Sequence, residues 1–392
     1  MTVEMSDNPL TILTEEPVPD TRLRAADIVA SGRRRARRRR AATVSIAAAV
    51  VVVMAVGVAA ATSRRQPQPQ PAQPTPTPAT TCTVTPLPDT DNVNSTVVVL
   101  DPAGTYAAAG TNSGTGVVLW EKFGKVTHVS GGAVFFVQAV NTAGVVVGSG
   151  RPDVDNVAYK VQDGAVIELP LPSGAVGAQA YGINTYGDIV GEAVLPGNKT
   201  RAVLWRHADP LHPQLLATPS GRQSTARKIG DDGRIVGTLD DGAEPYLWKA
   251  DGTGVTLPTP PGQPGGIAVH ITGDWADGPI DYQATTVVDP SSGRRVRTSA
   301  PHWARWNLAT GTVEPVDVLD ISGGAGITSD GRVLLNRGFG PALWSPDGML
   351  MLPKPTGFGS VQLTGMSADG KTFVGTAMTS SSSRTELQRW DC

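Results

Sequence analysis

The chain has 392 residues, enough for a large core, and it carries 45 Gly and 32 Pro against only 17% charged residues. That many turn formers, with eight Trp beside six Phe and six Tyr, imply short apolar strands joined by tight turns, an all-β composition that excludes a helical bundle. The net charge of -2 conceals an asymmetry: 11 Arg and 6 acidic residues fall in the first 65 positions, leaving 22 basic and 29 acidic side chains for 66–392, a formal -7 that gives no footing for nucleic acid.

Residues 1–40 read as a polar cytoplasmic tail without a recognisable fold, ending in Arg33, Arg34, Arg35, Arg37, Arg38, Arg39 and Arg40. Residues 41–62 then run for 22 positions without a charge, long enough at about 1.5 Å per residue to form a single transmembrane helix across about 30 Å of hydrocarbon. Only Arg64 and Arg65 follow it, so the charge bias predicts a single-pass cell-membrane protein, N-terminus cytoplasmic and C-terminal domain extracellular. A cleaved signal peptide is the alternative, although the apolar run and the region before it both exceed the usual lengths. Membrane lipid is thus the expected partner of 41–62 and of the Arg cluster, at about 1 kcal/mol per basic residue near an anionic surface. Residues 63–81, in which Pro alternates with polar residues, predict an extended spacer of polyproline character.

From residue 82 the chain repeats. One copy runs from Ala180 to Gly191 as AYGINTYGDIVG, then RAVLW from Arg201 to Trp205, then LLATP from Leu215 to Pro219. The next runs from Ala226 to Gly237, then Glu244 to Trp248, then VTLPTP from Val255 to Pro260, and weaker copies surround 139–161, 326–344 and 364–390. The turn glycines Gly104, Gly144, Gly187 and Gly233 lie 40, 43 and 46 residues apart, and Gly331 and Gly370 lie 39 apart, the period of a four-stranded blade. A degenerate unit near Gly273 to Gly278 completes seven. A single blade has no partner for its apolar faces, so the units must stack, and seven without a polar cap predict a seven-bladed β-propeller over 82–392.

The elements YGINTYGDIVG and RAVLW, followed by a strand containing Leu-Pro, resemble the HAF-type repeats of bacterial exported proteins, in which G-I-N-x-x-G-x-V-V-G precedes a His-Ala-Phe-like strand and Leu-Trp. The resemblance covers most of 95–390 and implies a propeller-like fold; it implies no catalytic residue. Arg201-Ala202, Pro245-Tyr246 and Pro341-Ala342 stand where His-Ala would be.

The chemistry legible in the sequence is sparse. His128, His207, His212, His270 and His302 have no zinc spacing, and no nucleophile elbow, H-E-x-x-H helix, Walker loop or dinucleotide motif is present, so no catalytic, cofactor or metal residue is assigned. Asp188, Asp231, Asp232, Asp330 and Asp369 fall in hairpin turns, where Asp accepts local backbone hydrogen bonds. Trp120, Trp205, Trp248, Trp306, Trp344 and Trp390 recur at one strand position and read as packing between blades. Trp275 and Trp303 fall outside that register, beside the long stretch 281–301, and form the candidate ligand face. These features favour a membrane-anchored extracytoplasmic module that binds an envelope protein or glycan and is not an enzyme. The alternatives are an exported hydrolase or lyase with its site at the channel mouth, and a structural component of the cell envelope.

The last unit ends at Cys392 with three strands, and Cys82 to Pro88 resembles the missing fourth. Residues 83–87 are therefore expected to pair with 385–390, closing the ring, and to bring Cys82 to Cys392 for a disulfide. Two free thiols, or Cys82 joining two copies, are the alternatives.

Overall fold

The computed structural model describes residues 76–78 and 82–392, apart from 92, 132–135, 151–155, 243, 264, 281–284, 289–294, 299–301, 319–320, 339 and 380–384. Among the described residues no helix is long and apolar enough to cross a membrane, and the anchor expected over 41–62 lies outside them, as does the tail 1–40.

Seven antiparallel sheets follow one another in chain order, each led by its innermost strand. The first blade is Val93–Leu100, Tyr106–Thr111, Gly116–Glu121 and Lys125–Ser130; the second is Phe136–Val140, Val146–Gly150, Val157–Gln162 and Ala165–Glu168. The third is Gly177–Ile183, Ile189–Leu195, Lys199–Arg206 and Asp209–Leu215; the fourth is Ser224–Ile229, Ile235–Leu239, Glu244–Trp248 and Gly254–Thr256. The fifth uses His270–Thr272, Trp275–Ile280, His302–Asn307 and Thr312–Val316, and the sixth Ile321–Ile327, Val333–Arg337, Ala342–Ser345 and Gly348–Met351. The seventh is Phe358–Met366, Thr372–Thr379 and Thr385–Asp391, completed by Thr83–Pro86 from the start of the domain. The all-β seven-bladed propeller is thus the fold.

The clasp has the predicted antiparallel register, Thr83 opposite Asp391 and Pro86 opposite Gln388. Pro86 is tolerated because this strand is an edge and needs no second donor. The pairing sets the Cα atoms of Cys82 and Cys392 4.1 Å apart, and the two are joined by a disulfide across 310 residues. Ahead of the clasp, Pro76–Pro78 lies parallel to Met349–Met351 as a fifth strand on the sixth blade, so this part of the expected spacer is built into the domain.

One turn recurs in six blades because its chemistry is local. In the third, the Gly187 N–H donates to the Asn184 carbonyl, and the Asn184 side chain accepts from the Asp188 N–H at 2.8 Å. Asp101, Asn141, Thr328 and Ser367 do the same in their blades, with Gly230 at that place in the fourth. The turn closes at φ between 68° and 89°, where glycine carries no steric penalty. The turn aspartates bind both within and between turns: Asp369 accepts from the Ser367 hydroxyl at 2.7 Å, and Asp231 reaches the preceding blade to accept from the Thr185 N–H at 2.9 Å.

The blades are held together by the tryptophans. The indole N–H of Trp120, Trp205, Trp248, Trp306 and Trp390 donates to the carbonyl of Pro88, Pro170, Ala217, Pro258 and Pro353 respectively, at 2.6 to 2.8 Å. Each acceptor follows a buried leucine that closes the neighbouring blade, Leu87, Leu169, Leu216, Leu257 or Leu352. The Leu-Pro strand and the Leu-Trp strand are therefore two halves of one inter-blade joint, in which a large apolar side chain is buried with its only donor satisfied.

The fifth blade departs from the repeat. Its second strand is Trp275–Ile280, and Thr285–Val288 pairs with Arg295–Thr298 as a separate two-stranded sheet between the blade's second and third strands. Thr285–Val288 and Arg295–Thr298 thus form an excursion from the blade.

Candidate active site in the central channel

The innermost strands surround a cavity of about 330 Å³. Regular strands alternate their side chains, so two consecutive residues do not normally face one space. Here a β-bulge breaks the alternation. In the third blade Ala180 pairs with Gly191 and Gly182 with Val190, which leaves Tyr181 without a partner. The same shift isolates Gln138, Arg227, Ala325 and Thr364. In the fifth blade Gly266 pairs with Ile280 and His270 with Asp277, so three residues stand opposite two. Bulges re-aim side chains, and all five isolated residues line the cavity.

The residue after each bulge is mostly small: Ala139, Gly182, Gly326 and Gly365. Close approach of the next blade explains this. A Cβ on Gly182 would come within 3.0 Å of the Arg227 carbonyl and the Lys228 Cα, and one on Gly365 within 2.9 Å of Leu100. In the fourth and fifth blades the same position holds Lys228 and His270, and both line the cavity.

Four groups result on one wall. Lys228 is half-buried, and its ammonium has no hydrogen bond or ion pair among the described residues; burial pushes its pKa down to about 8. The Arg227 guanidinium lies over the Tyr181 ring at 4.7 Å, and its Nε is buried without a hydrogen-bond partner. The Tyr181 hydroxyl is 3.0 Å from Gln179 Oε1 and 3.1 Å from Glu192 Oε1, while the Thr225 hydroxyl donates to the other oxygen of Glu192 at 2.7 Å. Burial, reinforced by the nearby Glu192 charge, holds the Tyr181 phenol well above the usual tyrosine range, so it stays protonated and serves as a fixed donor. His270 Nδ1 lies 3.0 Å from Asp277 Oδ1, and the Trp303 indole N–H donates to Asp277 Oδ2 at 2.7 Å. Because a carboxylate only accepts, Nδ1 carries the hydrogen and Nε2 is left to exchange a proton.

The opposite wall is chemically quiet. Ala325, Gly326 and Gly365 contribute no functional group, and the Thr364 hydroxyl is engaged by the first blade, donating to the Val98 carbonyl at 2.6 Å. No group of three His, Cys, Asp or Glu side chains among the described residues could hold a metal ion.

The residues singled out from the sequence lie elsewhere. Trp303 is 6% exposed and acts from behind, through Asp277. Trp275 is half-buried beneath the Arg305 guanidinium at 4.4 Å, and Arg305 in turn pairs with Glu314 at 2.7 Å. His128 and His212 form exposed pairs with Asp89 and Asp209. Tyr181, Arg227, Lys228, His270 and Asp277 were not legible as a site. Aligning the repeats on the turn glycine exposes part of the signal, the small residues Ala139, Gly182, Gly326 and Gly365 with Lys228 in their column, whereas His270 falls out of that column because the turn of the fifth blade is shorter.

No protein-family model matches the sequence, and comparison with curated proteins finds no match; the HAF-type label of the repeats is therefore unsupported. Solved structures do match. The ring superimposes on the virginiamycin B lyase of Staphylococcus aureus, solved as a catalytically inactive histidine-to-alanine variant with quinupristin, at a TM-score of 0.53 and 14% identity, over 80% of this chain and 99% of that one. It matches an oligogalacturonate lyase in complex with manganese at a TM-score of 0.53 and 10% identity, over 79% and 92%. A streptogramin B lyase gives a TM-score of 0.50 and 12% identity, over 79% and 97%. At these identities the likeness establishes the shared propeller. The expectation of a non-enzymatic role is nevertheless contradicted: the solved rings named here are enzymes. The sequence pointed the other way because the polar residues that line the channel come from different blades and have no fixed spacing.

Proposed function

We propose that this protein is a lyase that removes a proton from carbon and expels a neighbouring group inside the propeller channel. The observation that carries the reading is Lys228, an ammonium without a partner, lowered by burial to about 8, beside Arg227 and the His270–Asp277 pair in one cavity. A base must be partly free of its proton near neutral pH, and burial without a counter-ion produces that condition. In the reaction, neutral Lys228 Nζ takes the proton from the carbon next to a carbonyl. The electron pair left behind forms a carbon–carbon double bond, and the group on the adjacent carbon departs with the Nε2 proton of His270 in its imidazolium form, which leaves the neutral ring with its hydrogen on Nδ1 towards Asp277. The Arg227 guanidinium faces the negative charge that develops on the carbonyl oxygen. Asp277 and Trp303 are positioning residues that hold the imidazole ring and its tautomer.

The names of the matched structures support the reaction class, since lyases recur on this ring. The Cys82–Cys392 bond supports an oxidising compartment, which agrees with an exported domain tethered by 41–62 and with the Arg cluster against the inner leaflet.

The test uses the full-length protein in detergent and a panel of esters, amides and carboxylates that bear a leaving group next to the acidic carbon. Elimination gives two products with no water added and a new ultraviolet absorbance from the conjugated double bond. Its loss in Lys228→Met and in His270→Gln supports the reading. Products that have gained one water, or turnover unchanged in both variants, would overturn it.

A further inference from the structure

Among all the groups that line the cavity there is no carboxylate. Its charged residues are Arg227 and Lys228, adjacent in sequence and both turned inward by the bulge, with His270 beside them. The two nearest acids are in the back row and already engaged, Glu192 by Tyr181 and Thr225, and Asp277 by His270 and Trp303. Arg227 and Lys228 have no ion pair within the described protein, and the Arg227 Nε is buried without a partner. Several other arginines of this region, whose formal charge is -7, find acids: Arg222 meets Asp240 and Glu244, Arg234 meets Asp232 and Asp274, and Arg305 meets Glu314, whereas Arg201 bonds the Leu216 carbonyl. A buried cation without a counter-ion destabilises the fold unless an anion joins it.

Most of the remaining lining is apolar, with Gln138, Tyr181, Thr272 and Thr364 as the polar exceptions. Ile183, Val269, Ile271 and Ile327 contribute hydrocarbon, and Met366 adds a pliable thioether. A small hydrated anion would leave that surface wet, whereas a carboxylate on an apolar body would meet both halves of the wall.

We propose that the channel binds amphiphilic carboxylates, with the acid group on the Arg227 guanidinium and the apolar body against the sixth and seventh blades. This rests on the lyase reading for its meaning, because the carboxylate held by Arg227 is then the one whose neighbouring carbon loses a proton to Lys228. The planar fork of Arg donates to both carboxylate oxygens, and the same contact stabilises the enediolate that follows.

Binding is tested without turnover, using 3-phenylpropanoate, which has no leaving group, against 3-phenylpropanamide and inorganic phosphate, by calorimetry on the full-length protein in detergent. The expected result is a carboxylate bound at least about tenfold more tightly than the amide or phosphate. That preference should vanish in Arg227→Gln and survive in part in Arg227→Lys, with near-ultraviolet circular dichroism confirming that each variant is folded. Equal affinity for carboxylate and amide, a preference for phosphate, or full binding in a folded Arg227→Gln variant would overturn the proposal. If Arg227→Gln does not fold, Lys228→Met takes its place, with a several-fold loss expected and full retention overturning the idea. The lyase assay is a separate readout, so carboxylate binding without elimination would sink the reaction and leave the ligand class standing, and the reverse outcome would do the opposite.

Discussion

The channel wall of the third to fifth blades and that of the sixth and seventh are made by the same backbone device and do different things. On both sides a bulge in the innermost strand turns one extra residue towards the axis. On one side these positions and their neighbours hold Tyr181, Arg227, Lys228 and His270; on the other they hold Ala325, Gly326, Thr364 and Gly365. The fold therefore supplies equivalent sockets around a ring, and local sequence decides which of them carry chemistry. The quiet side serves closure instead, since Thr364 bonds to Val98 and ties the seventh blade to the first, where the ring is joined.

The sharpest way to break this contrast is to exchange chemistry for hydrocarbon on the active wall alone. Lys228→Met should lower turnover by about 10²- to 10⁴-fold, the range for loss of a general base, whereas Ala325→Val on the quiet wall should leave kcat close to that of the parent. Comparable losses in both would mean that the walls are not functionally distinct.

Stability should show no such asymmetry, because the same inter-blade joint occurs on both sides of the ring. Trp205→Ala, beside the active wall, and Trp390→Ala, beside the clasp, should each destabilise by about 3–5 kcal/mol, read from chemical denaturation. The clasp is particular to the quiet side. Cys392→Ser should cost about 2–5 kcal/mol and leave turnover per folded molecule unchanged; non-reducing peptide mapping of the parent should recover Cys82 linked to Cys392 of the same chain.

A smaller effect belongs to the active wall alone. Burial lowers Lys228 from the ordinary 10.5 to about 8. Below pH 8 both the folded and unfolded chains keep this proton, and the folded state carries the full penalty of the buried charge. Between about 8 and 10.5 the folded chain releases it first, so Lys228 contributes rising stability through that window, on the order of 2 kcal/mol, and nothing further above it. Lys228→Met should be the more stable protein at pH 7, and the difference should shrink as the pH approaches 10. The smallest change is expected outside the ring: a short Gly/Ser loop in place of 291–297 should hardly move the melting temperature, because closure entropy varies slowly with loop length. A collapse of cooperative unfolding would show that the excursion supports the fifth blade.

The repeat was legible because its signals are local. The turns of Asn184 to Gly187 and Ser367 to Gly370 need a particular backbone conformation that few residues adopt, and Leu257-Pro258 with Trp306 must recur for blades to pack. The clasp was legible too, since a missing strand at one end had a matching surplus at the other. The site was not. Trp303 looked like a ligand residue because it breaks the repeat, yet it breaks it to hold Asp277, a residue buried on the next strand. Lys228 looked like one more strand residue, and strand periodicity alone does not reveal a bulge.

By itself, then, the sequence determined the blade count, the strand order within each blade, the joint between blades and the disulfide, because each follows from steric and hydrophobic demands repeated every 40 or so residues. Tertiary structure alone decided which side chains meet. Tyr181, Arg227 and His270 stand on three different blades and converge only when the ring closes, and the low pKa of Lys228 exists only once neighbouring blades have removed the water around its charge.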